Sequence, residues 1–393
     1  MLINLLNNAG SLNTDSLFPT NPLADFRAQH KSKVKHVLSA ASPDSLSLNE
    51  LLAYARPDEY QVWENLPLDY GLSSGHYKLR ETIAQNYPGL EAEHILTFAG
   101  AQEAIFAVYH ALLNPGDVIQ AISPHFGPLH LVAEGMGVSL NIQELDFTTT
   151  DTTTERKGEW SLDVDQWCQD LKHQSSTAIK FSVINFPHNP TGAMLNKQQL
   201  KQMVGACAEQ DCWLFSDEVF RGLEYKESDR LPPVASLYDK GISLGVMSKS
   251  HGLGGVRVGW IACKNKTLIK RLLEIKEYLS ICNSVSDEFL ARLALKNSDV
   301  ILEKNRQQAK ENLALLEKNR SLLTHLRWSA PKAGLFLYPQ LIHGESADDF
   351  ILDMLKTSGA LALPGRCFGL GRKHFRVGYG RKAFHWQALQ LAK

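Results

Sequence analysis

Residues 243–263 read SLGVMSKSHGLGGVRVGWIAC, and this stretch decides the fold. Two apolar runs, 243–248 (SLGVMS) and 258–263 (VGWIAC), flank a glycine-rich turn that holds Lys249 and Arg257. Continuous apolar runs of this length are typical of strands that are buried on both faces of a sheet. The stretch therefore predicts two core strands, with a basic side chain just beyond the first.

The same kind of run recurs upstream and alternates with helical patterns. Further strand candidates are 117–123 (DVIQAIS), 178–185 (AIKFSVIN) and 212–217 (CWLFSD), and helix candidates are 102–113, 128–137, 197–210 and 266–279. Strand, helix, strand in this order predicts an α/β fold with a largely parallel sheet that helices cover on both faces.

The pattern changes after about residue 300, where a charged helix over 300–320 precedes short strand candidates around 334–338 and 375–379. This change predicts a second, smaller domain. Residues 1–48 are irregular and rich in Asn, Ser and Pro, and we expect them to pack on that domain or on the active site. We therefore assign residues 49–295 to a large domain, and residues 1–48 and 296–393 to a small one.

Composition excludes several classes of function. The 393 residues carry 41 Lys and Arg against 42 Asp and Glu, so the net charge of −1 lacks the positive field of a nucleic-acid binder. No apolar run reaches the length of about 18 residues that a membrane span needs, and the amino terminus lacks the features of a secretory signal. Six cysteines without a CxxC pair predict reduced thiols in a cytoplasmic protein and no metal site.

Three polar residues follow strand candidates at the edge where open α/β sheets bind ligands. Asn189 lies in the turn 185–192 (NFPHNPTG), Asp217 ends its strand and Lys249 follows the next. Singly, each has an ordinary explanation as a turn residue, a helix cap or a solvated lysine. Together, an amide, a carboxylate and an amine suit pyridoxal phosphate, whose aldehyde a lysine captures and whose ring nitrogen a carboxylate keeps protonated.

These motifs resemble those of the fold-type I pyridoxal-phosphate enzymes, and specifically of the class I/II aminotransferases, from about residue 66 to residue 381. The resemblance implies a mostly parallel seven-stranded sheet between helices in the cofactor-binding domain, a smaller α+β domain and a homodimer. It also implies that an L-amino acid and a 2-oxo acid exchange an amino group through a Lys249 Schiff base. Lys249 then also moves the α-proton, Asp217 pairs with the ring nitrogen, and Asn189 donates to the ring hydroxyl oxygen.

The resemblance implies roles for further residues. Those expected at the cofactor phosphate are Gly100, Ala101, Gln102, Ser248, Arg257 and, from the neighbouring subunit, Tyr70. Phe126 is expected to stack on the ring, and Arg376 to bind the substrate α-carboxylate with Asn189 beside it. A buried arginine can instead pair with an internal Asp or Glu, so that alternative for Arg376 stays open.

Three positions depart from the family pattern. Phe220 stands where the family has a tyrosine that donates to the ring hydroxyl oxygen, Val246 replaces a phosphate-binding serine, and His251 replaces an apolar residue. His251 is either a packed histidine or a substrate-binding residue beside the cofactor.

These departures leave a lyase, cyclase or oxidase of amino acids as the alternative to transamination. Residues 42–52 (SPDSLSLNELL) resemble relatives that cyclise hydroxylated arginine in natural-product biosynthesis. A ligand-sensing regulator is disfavoured because no helix-turn-helix pattern precedes the domain. A dinucleotide loop is disfavoured because GLGGVRVG lacks the GxGxxG spacing.

The absence of a hydroxyl at Phe220 generates the first prediction. Without that donor the anionic ring oxygen is less stabilised, so we expect the imine at Lys249 to keep its proton to higher pH than in tyrosine-bearing relatives. Titration of the visible absorption of the holoenzyme measures this pKa, and Phe220→Tyr should lower it. An imine that is already unprotonated at mildly acidic pH contradicts the prediction.

Overall fold

The structure is a computed structural model that describes residues 19–151, 156–172, 178–343 and 346–391. The strands are β1 His36–Val37, β2 Ile95–Phe98, β3 Val118–Ser123, β4 Ser139–Glu144, β5 Asp146–Asp151, β6 Arg156–Ser161, β7 Phe181–Asn185, β8 Trp213–Asp217, β9 Gly241–Val246, β10 Gly259–Ala262, β11 Leu326–Arg327, β12 Phe336–Leu337, β13 Gln340–Leu341, β14 Ala360–Leu361, β15 Leu363–Pro364 and β16 Phe375–Gly378.

The α-helices alternate with these strands in the first two thirds of the chain. They are α1 Pro22–His30, α2 Leu48–Leu52, α3 Pro57–Glu64, α4 Tyr77–Ala84, α5 Ala101–Leu112, α6 Pro128–Gly135, α7 Val164–Lys172, α8 Lys197–Glu209, α9 Val234–Leu237, α10 Lys266–Lys276, α11 Val285–Lys296, α12 Ser298–Lys318, α13 Ala347–Ser358 and α14 Ala388–Leu391. No helix in the described ranges is both long and apolar enough to cross a membrane.

The main sheet has seven strands in the order β2-β10-β9-β8-β7-β3-β4. All of its neighbouring strands pair in parallel except β10, which is antiparallel to both β2 and β9. Strands β7, β8 and β9 are buried along their whole length apart from partly exposed Trp213, as the apolar runs predict. The predicted α/β fold with a mostly parallel seven-stranded sheet is confirmed.

Short strands near the carboxyl terminus form smaller sheets. β16 pairs antiparallel with β12 and β15, and β11 pairs with β13. β1 joins them from the other end of the chain by pairing in parallel with β14. The expected packing of the amino-terminal segment on this region is therefore confirmed for the described residues, whereas the domain boundaries stay a prediction.

The first 48 residues are not wholly irregular, which corrects the sequence-based expectation. α1 begins after Asn21, whose side chain accepts a hydrogen bond from the Ala24 N–H, and Pro22 occupies its first position. Both are ordinary helix-start signals. The polar run 151–156 (DTTTER) predicts a surface loop, but its residues 152–155 lie outside the described residues, as do residues 1–18.

Gly378 lets β16 approach the amino-terminal segment closely. The Gly378 N–H donates to the Leu38 carbonyl at 2.6 Å, and a Cβ atom at Gly378 would lie 1.9 Å from the Ala40 carbonyl oxygen. Only a residue without a side chain fits there, because a contact of that length forces the backbone to shift. This contact holds residues 38–42 against the strand that carries Arg376.

Gly378→Ala is expected to lower the free energy of unfolding by about 1–3 kcal/mol, because the new methyl group overpacks a backbone contact. Thermal unfolding of the two proteins measures the change. Gly205→Ala in α8 is the matched control, since no heavy atom lies within 4 Å of its new Cβ and alanine favours a helix. Equal losses of stability in the two variants contradict the prediction.

Candidate active site

A cavity of about 190 Å³ lies at the carboxyl edge of the main sheet. Its lining residues are Ala101, Gln102, Ile105, Phe126, Asn189, Asp217, Val219, Phe220, Ser248, Lys249 and Arg257. Asn189 follows β7, Asp217 ends β8 and Lys249 follows β9. These strands are adjacent and all three residues line one cavity, so the predicted convergence of amide, carboxylate and amine on one edge is confirmed.

Asp217 belongs to the last residue pair between β7 and β8, and this pairing fixes its position. Its partner there is Asn185, whose Nδ2 donates to the Asp217 carbonyl at 2.8 Å and whose Oδ1 accepts from the Asn189 N–H at 2.9 Å. The Asp217 carboxylate accepts from the Val219 N–H at 3.1 Å. Asn185, which sequence reasoning missed, therefore positions both predicted residues through one side chain.

Burial dominates the electrostatics of Asp217. It raises the pKa of this carboxyl to about 7, although the Val219 N–H and the Lys249 ammonium both favour the ionised form. A carboxyl group that titrates near neutrality is ionised or neutral according to the charge placed beside it. A cation within hydrogen-bonding reach would therefore hold it as a carboxylate.

The pKa of Lys249 is shifted in the opposite direction, and burial is again the main cause. Burial, then the Arg376 and Arg27 guanidinium groups, lower its pKa to about 8, and Asp217 only partly offsets them. An amine with a depressed pKa is neutral in part of the population near physiological pH. It can therefore act as a nucleophile or as a base.

The other end of the cavity suits an anion. Gly100 adopts a positive φ of 97° just before α5, and a Cβ there would lie 2.3 Å from Nη2 of Arg257. Arg257 donates to the Ala99 carbonyl and to the Gly254 carbonyl, each at 3.1 Å. The open end of a helix and a guanidinium group thus lie side by side, an arrangement that attracts phosphate.

Arg376 lies next to this cavity and is almost completely buried. Its Nη1 donates to Asn189 Oδ1 at 2.7 Å and its Nη2 to the Ser39 carbonyl at 2.9 Å, while its buried Nε has no partner in the described structure. Burial, then the Arg27 charge, lower its pKa. No Asp or Glu among the described residues pairs with Arg376, so its charge has no internal counter-ion there.

Phe220 lines the cavity with its ring edge-on to Phe336, the centroids being 5.0 Å apart. No tyrosine is found in the described lining of the cavity. The hydroxyl groups of Tyr225 and Tyr379 instead form a hydrogen bond with each other, with 2.6 Å between their oxygen atoms.

His251 does not line the cavity, so the structure gives no support to a substrate-binding role and favours the packed alternative. Its Nε2 lies 2.9 Å from Ser298 Oγ and its Nδ1 lies 3.4 Å from Ser250 Oγ, and burial lowers its pKa to about 4. The turn after Lys249 directs the ring to the start of α12 rather than to the sheet edge.

Tyr70 also lies outside the cavity and is 81% exposed. Its expected contact with a neighbouring subunit stays a prediction.

Sequence reasoning missed two arginines beside the site, Arg27 of α1 and Arg381 after β16. Both line a second cavity of about 490 Å³, which meets the first at Lys249. Neither arginine follows a strand of the main sheet, and no local pattern marks them. Only the pairing of the two chain ends brings them here.

A buried histidine cluster lies behind Phe126. The rings of His125 and His130 stack with centroids 3.5 Å apart, and His188 lines the same small cavity. Burial lowers the pKa values of His125, His130 and His188 to about 4, 2 and 3. The cluster is therefore neutral and supports the turns that carry Phe126 and Asn189.

Comparisons with known proteins agree with this geometry. A model of the family "Aminotransferase class I and II" matches residues 67–383. The chain is 26% identical to capreomycidine synthase of Streptomyces vinaceus over 92% of this chain and 89% of that protein. It resembles the crystal structure of a PLP-dependent aminotransferase from Streptococcus suis, with a TM-score of 0.82 and 27% identity over 94% of both chains. The PLP-dependent cyclase OrfR has the same fold, with a TM-score of 0.82 and 24% identity over 97% of both chains.

The histidine cluster predicts sensitivity to acid. The folded-state pKa values of His125, His130 and His188 lie below the ordinary 6.5. Below pH 6.5 the unfolded chain therefore binds protons at these histidines before the folded chain does. Stability should therefore fall as the pH drops below 6.5 towards 4, by about 1.4 kcal/mol per pH unit for each histidine.

The pH dependence of the thermal midpoint measures this loss. His130→Gln should reduce the slope, whereas His343→Gln, at an exposed position, should leave it unchanged. A slope that is equal in all three proteins contradicts the assignment.

Proposed function

Because this chain belongs to the class I and II aminotransferase family, whose members depend on pyridoxal 5′-phosphate, we propose that it exchanges the amino group of an L-amino acid with a 2-oxo acid. The family and its cofactor establish an enzyme of this class. The specific reaction and the roles of the individual residues are our proposal.

The donor set of the cavity fits the cofactor. Lys249 offers an amine with a lowered pKa for the aldehyde, and Asp217 offers a carboxylate that a cationic ring nitrogen would keep ionised. The start of α5, Ser248 and Arg257 suit the phosphate, and the half-buried ring of Phe126 suits an aromatic face. Asn189 keeps its Nδ2 for the ring hydroxyl oxygen, because its Oδ1 already accepts from Arg376.

The bound cofactor supplies an electron sink for the electrons released at the substrate α-carbon. Lys249, once its amine is free, takes the α-proton and returns it to a neighbouring atom, which its pKa of about 8 allows near neutral pH. Arg376 binds the α-carboxylate and so orients the α-hydrogen towards Lys249. Asn189 links the two functions, since it contacts Arg376 directly and lines the cofactor cavity.

The observation that best supports the proposal is that Arg376, buried and without a carboxylate partner among the described residues, lies close enough to the Lys249 amine to lower its pKa. Both halves of an exchange use the same two groups, because an amino acid and a 2-oxo acid share an α-carboxylate. The site therefore needs no further group to accept the second substrate.

We also propose that the enzyme is a homodimer. The loop before α4 exposes Leu68 at 88%, Tyr70 at 81% and Leu72 at 58%, which is unusual for neighbouring large apolar residues. A second subunit would cover this loop and bring Tyr70 to the neighbouring phosphate site. The compartment, predicted to be the cytoplasm, stays a prediction.

The second candidate is a lyase, cyclase or oxidase of an amino acid, including a cyclase of the hydroxyarginine type. The similarity to capreomycidine synthase over 92% of the chain favours it. Such an enzyme would use the same Lys249, Asp217 and Arg376 but would return to its starting state without a 2-oxo acid.

The holoenzyme, mixed with single L-amino acids and no oxo acid, is expected to release about one equivalent of 2-oxo acid per chain and then stop. Adding a different 2-oxo acid should restart it. Lys249→Ala should abolish both the release and the visible absorption of the bound cofactor, whereas Lys201→Ala, on the exposed face of α8, should change neither.

Many turnovers without an oxo acid would establish the second candidate instead. Retention of absorption and activity by Lys249→Ala would overturn both candidates, because each requires the lysine amine.

A further inference from the structure

The cavity of about 490 Å³ beside the active site is strongly basic. Arg27, Lys31 and Arg381 line it together with Lys249, and no Asp or Glu occurs in its described lining. The rest of the lining is small or apolar, including Ser39, Ala40, Ala41 and Ser42. Since Lys249 lies on both cavities, a molecule that reacts at Lys249 can extend into this one.

The guanidinium groups around this cavity are held by the amino-terminal segment. Arg27 Nη2 and Arg376 Nη2 both donate to the Ser39 carbonyl. Arg381 donates from Nε to the Ser42 carbonyl at 3.3 Å and from Nη2 to Ser42 Oγ at 3.1 Å. The three arginines are therefore fixed in place by neutral oxygen atoms.

These arginines lack counter-ions within the part of the chain that the structure describes. The bonding partners of Arg27, Arg376 and Arg381 there are carbonyl, amide and hydroxyl oxygens, and none is a carboxylate. Several other partly buried arginines pair with acids, as Arg306 with Glu303 at 2.6 Å and Arg230 with Glu224 at 3.2 Å.

Keeping several positive charges close together is electrostatically unfavourable, and a ligand of negative charge can remove that repulsion. Burial and the Arg381 charge lower the pKa of Arg27, and the Arg27 charge contributes to the lowered pKa of Arg376. Mutual repulsion of this kind is relieved when anions bind between the cations. One α-carboxylate on Arg376 would leave Arg27 and Arg381 without an anionic partner, which a second negative group would supply.

Resting on the function proposed above, we propose that the substrates carry a second carboxylate on the side chain, and that Arg27 and Arg381 bind it. The enzyme then acts on an acidic amino acid and the corresponding dicarboxylic 2-oxo acid. Arg376 binds the α-carboxylate, and the side chain extends from Lys249 into the basic cavity.

The same cavity disfavours a cationic substrate. A guanidino or ammonium side chain would enter a space lined by Arg27, Lys31 and Arg381 with no carboxylate in the described lining to receive it. Repulsion of like charges in a partly desolvated site is an efficient way to reject a ligand. The charge of the cavity therefore separates this chain from an enzyme for arginine-like substrates.

Isosteric amino acids test the proposal, because L-glutamate and L-glutamine differ in charge but hardly in shape. With the holoenzyme and a fixed 2-oxo acid, kcat/KM for L-glutamate or L-aspartate should exceed that for the matching amide by about 100-fold or more. Arg27→Met and Arg381→Met should each lower kcat/KM for the acidic substrate by about 10- to 100-fold and change that for the amide little. Arg372→Met, at an exposed position outside both cavities, should behave as the unaltered protein.

Binding without turnover gives a second measurement. Glutarate should raise the thermal midpoint of the holoenzyme more than valerate, its monocarboxylate counterpart, and the difference should disappear in Arg27→Met. A preference for L-glutamine or L-arginine over L-glutamate, or variants that keep the preference for the acid, would overturn this inference and leave the proposed function intact. If no amino acid transfers its amino group, the proposed function fails, and the comparison of glutarate with valerate still decides whether the cavity binds a dicarboxylate.

Discussion

The Ser39 carbonyl oxygen accepts hydrogen bonds from two guanidinium groups, those of Arg27 and Arg376. This shared acceptor joins three distant parts of the chain, namely α1, the segment after β1 and strand β16. Like charges repel each other, and the oxygen between these two is held in place because Gly378 and Arg381 bond to the backbone of residues 38–42. The position of Arg376 and the shape of the basic cavity depend on this arrangement.

The carboxyl edge of the main sheet is built by a different and more local arrangement. Asp217 ends β8 and Lys249 follows the adjacent parallel strand β9, while Asn185 at the end of β7 bonds to the Asp217 carbonyl and to the Asn189 N–H. Burial then shifts their two pKa values in opposite directions, to about 7 and about 8. Each group therefore lies close to its titration point, and a bound charge can set its protonation state.

The difference between these two arrangements, one local and one formed by distant parts of the chain, explains which residues the sequence could predict. Asn189, Asp217 and Lys249 were found because strands of a parallel sheet end at one edge, so a residue just after a strand has a known place. Arg27 and Arg381 have no such landmark, since their positions depend on β1 pairing with β14 and on β16 running beside residues 38–42. His251 shows the same limit, because its proximity to Lys249 along the chain does not give the direction in which its ring points.

The comparisons with known proteins also separate what determines the fold from what determines the substrate. A synthase and an aminotransferase resemble this chain to nearly the same degree, so overall identity does not separate the two reactions. The smaller cavity lies at the carboxyl edge of the main sheet, whereas the basic cavity is lined mostly by residues from the two chain ends. Its charge can therefore change by a few substitutions in those ends while the sheet and its carboxyl edge stay as they are. The balance of charge around Lys249, rather than the fold, is what makes the substrate of such an enzyme specific.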